Sequence, residues 1–238
     1  MHEPLILCPL EHEARALRAR LKPLRVEVCG PGRAVGPRVR ALCEPRPRLV
    51  VLAGLCGGLV ECEIVPRITR VISTRGQVWR VPVTLRESGQ GVAPGGSGRT
   101  RRLHESREER DGATLIGVDE VVRSARAKRA LGERFGGELC DMESHHFAFA
   151  CVDIGVRWGV VRGVSDGPAD ELPRGVERLV DAQGDAKLGA ALRHCATRPW
   201  EIGSLLRLKK RSEEALEHVA SAVEELIRTE ERDGVRSA

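Results

Sequence analysis

The chain of 238 residues has no tyrosine, and with three phenylalanines and three tryptophans its aromatic content is 3%. Proteins that hold single-stranded nucleic acid stack bases on aromatic side chains, and almost none are available here. The formal charge of +5 does not restore that reading, because five of the 39 basic residues are lysine, the rest arginine, and Asp or Glu is interleaved throughout. Nucleic acid is therefore not an expected partner. Long apolar runs are missing too: Leu49 to Ala53 and Gly159 to Val161 are broken by Gly or Arg far short of the ~20 residues a membrane span needs. At the N-terminus His2, Glu3 and Pro4 stand where an export signal carries basic residues, and Leu5 to Cys8 is too short for its apolar core. A soluble, cytoplasmic protein is expected. The cysteines at 8, 29, 43, 56, 62, 140, 151 and 195 form no C-x-x-C pair and sit mostly in apolar runs. That pattern suits buried reduced thiols and lacks the ligand spacing of a zinc site, so no metal is expected.

What is present is enough apolar side chain for a core, 41% hydrophobic against 31% charged. Leu5 to Cys8 reads as a strand, followed by the acidic corner Glu11-His12-Glu13 and a helix carrying Ala14, Leu17 and Leu21. Leu24 to Cys29 reads as a second strand that Gly30-Pro31-Gly32 turns into a helix ending before Pro45. Leu49 to Ala53 is a buried strand that ends in the run Gly54-Leu55-Cys56-Gly57-Gly58, where backbone amides can approach a ligand. Ile64 to Thr74 and Gln77 to Val83 pair across Arg75-Gly76. Between Arg86 and Gly112 the composition turns to Gly, Ser, Arg and Glu, the mark of a surface loop or insertion. Strands at Ala113 to Val118, Glu138 to Met142 and Val156 to Val164 then alternate with helices at Ser124 to Phe135 and Ser144 to Ile154, and the remainder is helical. The expected class is α/β, a largely parallel sheet with helices on both faces.

In such sheets ligands sit at the carboxyl ends of strands. Glu11 to Glu13, Gly54 to Gly58, Met142-Glu143 and Ser165-Asp166 all follow strands, which points to a single site. Gly30-x-Gly32-x-x-x-Gly36 suggests dinucleotide binding, but the spacing is off by one and the next strand ends at Ala53 without an acidic residue for a ribose. These glycines are read as making the turn. Asp166, before Gly167, suits a helix N-cap, a job Ser165 could share. Cys140-Asp141-Met142-Glu143-Ser144 delivers a second carboxylate at a strand end among apolar residues, and such carboxylates can act as acids near neutrality.

Glu11-His12-Glu13, Gly30-Pro31-Gly32-Arg33, Gly54-Leu55-Cys56-Gly57-Gly58-Leu59, Val118-Asp119, Asp141-Met142-Glu143-Ser144 and Val164-Ser165-Asp166 occur in the order found in the nucleoside phosphorylase superfamily. The resemblance spans Leu5 to Leu172. It is closer to the nucleosidases that cleave methylthioadenosine, adenosylhomocysteine or futalosine. The Asp-Met-Glu-Ser-His wording, with the tail from Ala190 to Leu206 and its Arg198-Pro199, looks most like the nucleosidases or phosphorylases of hopanoid biosynthesis that act on adenosylhopane.

The resemblance implies a three-layer α/β/α sandwich with a mixed, largely parallel sheet, no cofactor, and cleavage of an N-glycosidic bond through an oxocarbenium-like sugar. On this pattern Asp166 matches the acid that protonates purine N7 and Glu13 the residue that deprotonates the attacking water. Glu143 matches the carboxylate that grips the ribose hydroxyls, with Met142 packed on the sugar. Ser165, Gly54, Leu55, Cys56 and Gly57 complete the substrate contacts, and Val121 and Val122 stand in the purine wall, where the family commonly has Phe. Phosphate as a co-substrate would need Arg and hydroxyl or amide donors; Arg33 is the candidate, while Glu13 would repel it and Leu55 replaces a common Ser or Thr. Hydrolysis is favoured. The competing reading is a catalytically inactive nucleoside-binding or assembly module that kept the fold.

The expected organisation is a domain over 1–198 with a flexible insertion at 86–112, then a helical extension over 199–238. In that extension Leu216, Val219, Ala220, Val223, Leu226 and Ile227 form an apolar stripe. The stripe packs on the domain or on a second subunit, or, given the nearby Arg207, Lys209, Lys210 and Arg211, touches an anionic membrane surface. A homodimer is expected.

Overall fold

The structure is a computed structural model, and it describes residues 3–86, 112–172 and 202–236. The apolar run Leu5–Cys8 forms β1 and leads into α1 at Glu11–Arg20, and β2 at Arg25–Val28 returns beside β1. A 3-10 turn at Gly32–Ala34 opens α2, Val35–Leu42. Next come β3 at Val50–Gly58, β4 at Ile68–Ser73 and β5 at Val78–Arg80. After the insertion follow β6 at Ala113–Gly117, α3 at Ala125–Phe135, β7 at Leu139–Asp141, α4 at Ser144–Ile154 and β8 at Trp158–Asp166. The last helix, α5, runs over Ile202–Arg236.

The eight strands make one sheet in the order β2-β1-β3-β7-β6-β4-β5, with β8 paired to β3. The β3–β7 and β4–β5 pairs are antiparallel and the other five are parallel, so the sheet is mixed and mostly parallel as expected. The glycine run does not end β3. It continues the strand, pairing through Gly57 and Gly58 with Cys140 and Leu139 while β8 follows β3 from Val50 to Gly57. Likewise Ser165 and Asp166 are the last residues of β8, not the start of a helix.

Alternation along the strands sends side chains to opposite faces. Leu5, Leu7, Val50, Leu52, Trp158 and Val160 pack with Val35 and Val39 of α2 and Phe147 and Cys151 of α4. Ile6, Cys8, Val51, Ala53 and Val161 pack on the other face with Ala14 and Leu17 of α1 and with α5. The α5 stripe is thus covered by the sheet: Val219 and Val223 are fully buried. Gly163 permits this approach, since a Cβ there would lie 2.9 Å from the Val219 side chain. The helix set apart in the sequence as an extension forms a layer of the sandwich. Among the described residues no helix is long and apolar enough to cross a membrane. The insertion expected at 86–112 falls, from 87 to 111, outside the described residues, as does the tail motif at Arg198-Pro199.

Candidate active site

Burying a charge is costly unless it is paired, so the place where charges are buried is informative. Among the described residues the buried carboxylates and basic side chains are Glu13, Asp141, Glu143, Asp166, Lys128 and Arg162. The four carboxylates all line one cavity of about 220 Å³, at the carboxyl ends of β3, β7 and β8, together with Leu55, Cys56, Gly57, Met142 and Ser165. Val118, Val121, Val122 and Leu172 supply an apolar wall. Four carboxyl groups thus share this region with two cationic side chains.

Glu13 sits in the first turn of α1 and is held from both ends. Its Oε2 accepts from the Leu10 amide at 2.9 Å and its Oε1 from the Leu55 amide at 2.8 Å, which ties α1 to β3. Burial pushes its carboxyl above the ordinary value, although the Arg162 charge and those amides work the other way. Arg162, on β8, is fully buried, and its Nη2 meets Asp141 at 2.6 Å and Glu143 at 3.3 Å. Its Nε and Nη1 have no hydrogen-bond partner. A Cβ at Gly54 would lie 2.6 Å from Glu13 Oε1 and 2.8 Å from Arg162 Nη1. Gly54 therefore makes the space in which these two groups face each other, and its φ of +154° suits glycine.

Glu143 follows β7. Its Oε1 accepts from the Gly32 amide at 2.9 Å, which explains the place of the Gly30-Pro31-Gly32 turn in the site. Burial and the neighbouring Asp141 raise its carboxyl to about 7, against the opposing charge of Arg162. Asp141 is occupied structurally: it accepts from the Ser144 amide and hydroxyl at 3.1 and 2.5 Å, securing the start of α4, and it pairs with Arg162.

The Asp166 side chain has strong polar partners. The fully buried Lys128 of α3 donates from Nζ to Asp166 Oδ2 at 2.5 Å, and also to the carbonyls of Gly167 at 2.6 Å and Asp170 at 3.1 Å. The Ser165 hydroxyl lies 2.7 Å from Asp166 Oδ1 and 3.2 Å from the Cys56 carbonyl. Gly57 leaves room for the carboxylate, since a Cβ there would come within 3.2 Å of Oδ2.

A family model described as the phosphorylase superfamily matches residues 11–197. The chain belongs to the phosphorylase superfamily. Among curated protein sequences none matches this superfamily member. Solved structures share its fold. A mutant Helicobacter pylori methylthioadenosine nucleosidase with 5′-methylthioadenosine in the active site is 12% identical with a TM-score of 0.57, covering 96% of this chain and 99% of that one. Futalosine hydrolase from the same organism gives 12% and 0.57, over 96% and 98%. The Neisseria meningitidis 5′-methylthioadenosine/S-adenosylhomocysteine nucleosidase in complex with methylthio-immucillin-A gives 14% and 0.58, over 96% and 100%.

In this superfamily member the structure gathers Glu13, Leu55, Cys56, Gly57, Val121, Val122, Met142, Glu143, Ser165 and Asp166 at one cavity. Gly54 stands behind that lining and acts by leaving space. Arg33 is elsewhere: it is mostly exposed and bonds Asp119 at 3.4 Å. Asp119 with His145 and His146 forms the one cluster of potential metal ligands among the described residues, and Arg33 already provides its positive charge. Sequence reasoning missed Arg162 and Lys128. Arg162 carried a signal, a lone charge inside the apolar strand Val160 to Val164. Lys128 carried little, because a lysine in a helix full of arginines reads as a solvated face.

Proposed function

We propose that the protein is a nucleosidase that hydrolyses the N-glycosidic bond of a 5′-substituted purine nucleoside and releases the base. The observation that carries this reading is the convergence of Glu13, Glu143 and Asp166 on one cavity. Asp166 faces the base and delivers the proton to N7; Glu143 accepts from the ribose hydroxyls, with Met142 against the sugar. Glu13 takes a proton from the attacking water. The buried excess of carboxylates favours a cationic, oxocarbenium-like sugar, which is where charge develops in such a reaction.

The same excess argues for water over phosphate as the nucleophile. Among the described residues no lysine or arginine lines the cavity, four carboxylates do, and Arg33 is turned to Asp119. At about 220 Å³ the cavity is below the ~300 Å³ at which small-molecule pockets usually begin, so a 5′ substituent extends beyond it. The Asp141-Met142-Glu143-Ser144-His145 wording makes adenosylhopane the substrate to try first. The reading includes a cytoplasmic homodimer, and the six buried free thiols among the described residues suit a reducing compartment.

One observation favours the inactive-binder reading: the base wall is Val121 and Val122, and among the described residues no Phe or Trp lines the cavity to stack on a purine. Incubation with adenosylhopane, methylthioadenosine, adenosylhomocysteine, futalosine and inosine, with and without phosphate, separates these outcomes. Base release without phosphate supports the nucleosidase, phosphate-dependent release supports a phosphorylase, and binding without release supports the inactive module.

A further inference from the structure

The ammonium of Lys128 has three protons and three acceptors, two of them backbone carbonyls that cannot take a proton. The third, Asp166 Oδ2 at 2.5 Å, can. Lys128 is fully buried, so it cannot exchange that partner for water without moving α3 or the turn after β8. A carboxylate that accepts from an ammonium and a hydroxyl is a hydrogen-bond acceptor, whereas a group that protonates a purine must carry a proton of its own.

We infer that Lys128 is a positioning residue that sets the protonation state of Asp166, so that the proton given to the leaving base is held by the Lys128–Asp166 pair and not by an isolated carboxylic acid. The inference rests on the nucleosidase reading for its consequence in turnover, and on geometry alone for the state of Asp166. As the C1′–N9 bond breaks, its electron pair passes to the purine. The proton moves from Lys128 Nζ to Asp166 Oδ2 and from that oxygen to N7, leaving a neutral amine. The water oxygen bonds to C1′ and gives one proton to Glu13. One proton from Glu13 or solvent restores the ammonium.

The other groups around the pair do not supply that proton. Burial holds the thiol of Cys140 at about 12 and that of Cys56 far above its ordinary range, so both stay neutral at working pH. Asp141 is engaged by Ser144 and Arg162. The carboxylate of Asp170 is engaged by the Gly167 amide and by Arg211.

The test uses Lys128→Met and Lys128→Arg in the full-length chain. Infrared difference spectra of carbon-13-aspartate-labelled protein, wild type against Lys128→Met at neutral pH, should show an ionised carboxylate replaced by a protonated acid. Unchanged aspartate bands overturn the inference, whether or not any nucleoside is turned over. With a nucleoside that wild type cleaves, Lys128→Met should displace the alkaline limb of the kcat profile to lower pH while KM changes little. Lys128→Arg keeps the charge but not a transferable proton, and kcat should fall by ~10²–10⁴-fold, the usual contribution of a general acid. Wild-type kcat in Lys128→Arg, or a Met variant that loses rate with an unmoved pH profile, overturns the inference and leaves Lys128 a structural strut. Absence of base release from wild type would instead overturn the nucleosidase reading, with the infrared result still deciding the pair.

Discussion

Asp166 and Glu143 are both buried carboxylates, yet their surroundings give them different work. Asp166 faces a cation at 2.5 Å, while Glu143 faces Asp141 and a guanidinium shared between the two. Asp166→Asn keeps the shape, removes the ionisable carboxyl and leaves Lys128 buried without a counter-charge. Under the nucleosidase reading base release should fall by ~10²–10⁴-fold, and urea unfolding should show a loss of about 3–5 kcal/mol, the usual result of breaking a buried pair. A side chain that merely capped a helix would tolerate Asn with little change in either measurement. For Glu143 the prediction concerns pH. With its carboxyl raised to about 7 from an ordinary value of 4.5, the folded chain holds this proton over a range where the unfolded chain has lost it. Its contribution to stability is therefore complete at low pH and is lost as pH rises through that window. The melting temperature of Glu143→Gln, measured against wild type from pH 4.5 to 7.5, should gain on wild type as pH increases. A constant difference would show that Glu143 is ionised throughout.

β3 is the element on which the site is built. Its first half pairs with β1 and its last residues with β7, while β8 follows it, so one strand brings the ends of three others to Glu13, Glu143 and Asp166. Glycines make this geometry possible because no side chain occupies the space the carboxylates and Arg162 need. Gly54→Ala is expected to push the Glu13 carboxylate out of line, since the added carbon would lie 2.6 Å from Oε1. Under the nucleosidase reading, kcat should fall by at least the ~10²-fold that a general base provides, with a smaller effect on KM. Wild-type turnover in this variant would remove Glu13 from the mechanism. α5 shows the same logic on the opposite side of the sheet, where Gly159 and Gly163 let Leu226 and Val219 approach β8.

At the scale of the whole molecule, the sandwich covers both faces of its sheet with its own helices, which leaves helix surfaces and the β2 and β5 edges for association. Phe149 and Val152 of α4 are about half exposed and lie three residues apart on one face. The expected homodimer should appear in light scattering at micromolar concentration as twice the 26.0 kDa chain mass. A particle of one chain mass would contradict it, and the 5′ side of the nucleoside would then be closed by residues of the same chain.

Strand and helix positions were legible in the sequence because apolar periodicity is local: β1, α3, α4 and β8 fall where Leu5 to Cys8, Ser124 to Phe135, Ser144 to Ile154 and Val156 onward place them, while the acidic corner Glu11 to Glu13 proves to be the first turn of α1. The grouping of Glu13, Glu143 and Asp166 was legible through strand ends and through the order of the motifs. That the run Gly54 to Gly58 is strand could not be read locally, because glycine disfavours strands and only the pairing with β7 and β8 overcomes this. The C-terminal stripe was visible as apolar, but its choice of the sheet over another surface depends on Gly163 and Gly159 on a distant strand. The charges of the site were decided by tertiary structure alone. Lys128 lies 38 residues from Asp166 and Arg162 lies 21 from Asp141, and no local pattern records such pairings. Desolvation and Coulomb energy depend on separation in space, which the packing of α3 and β8 against the ends of β3 and β7 determines.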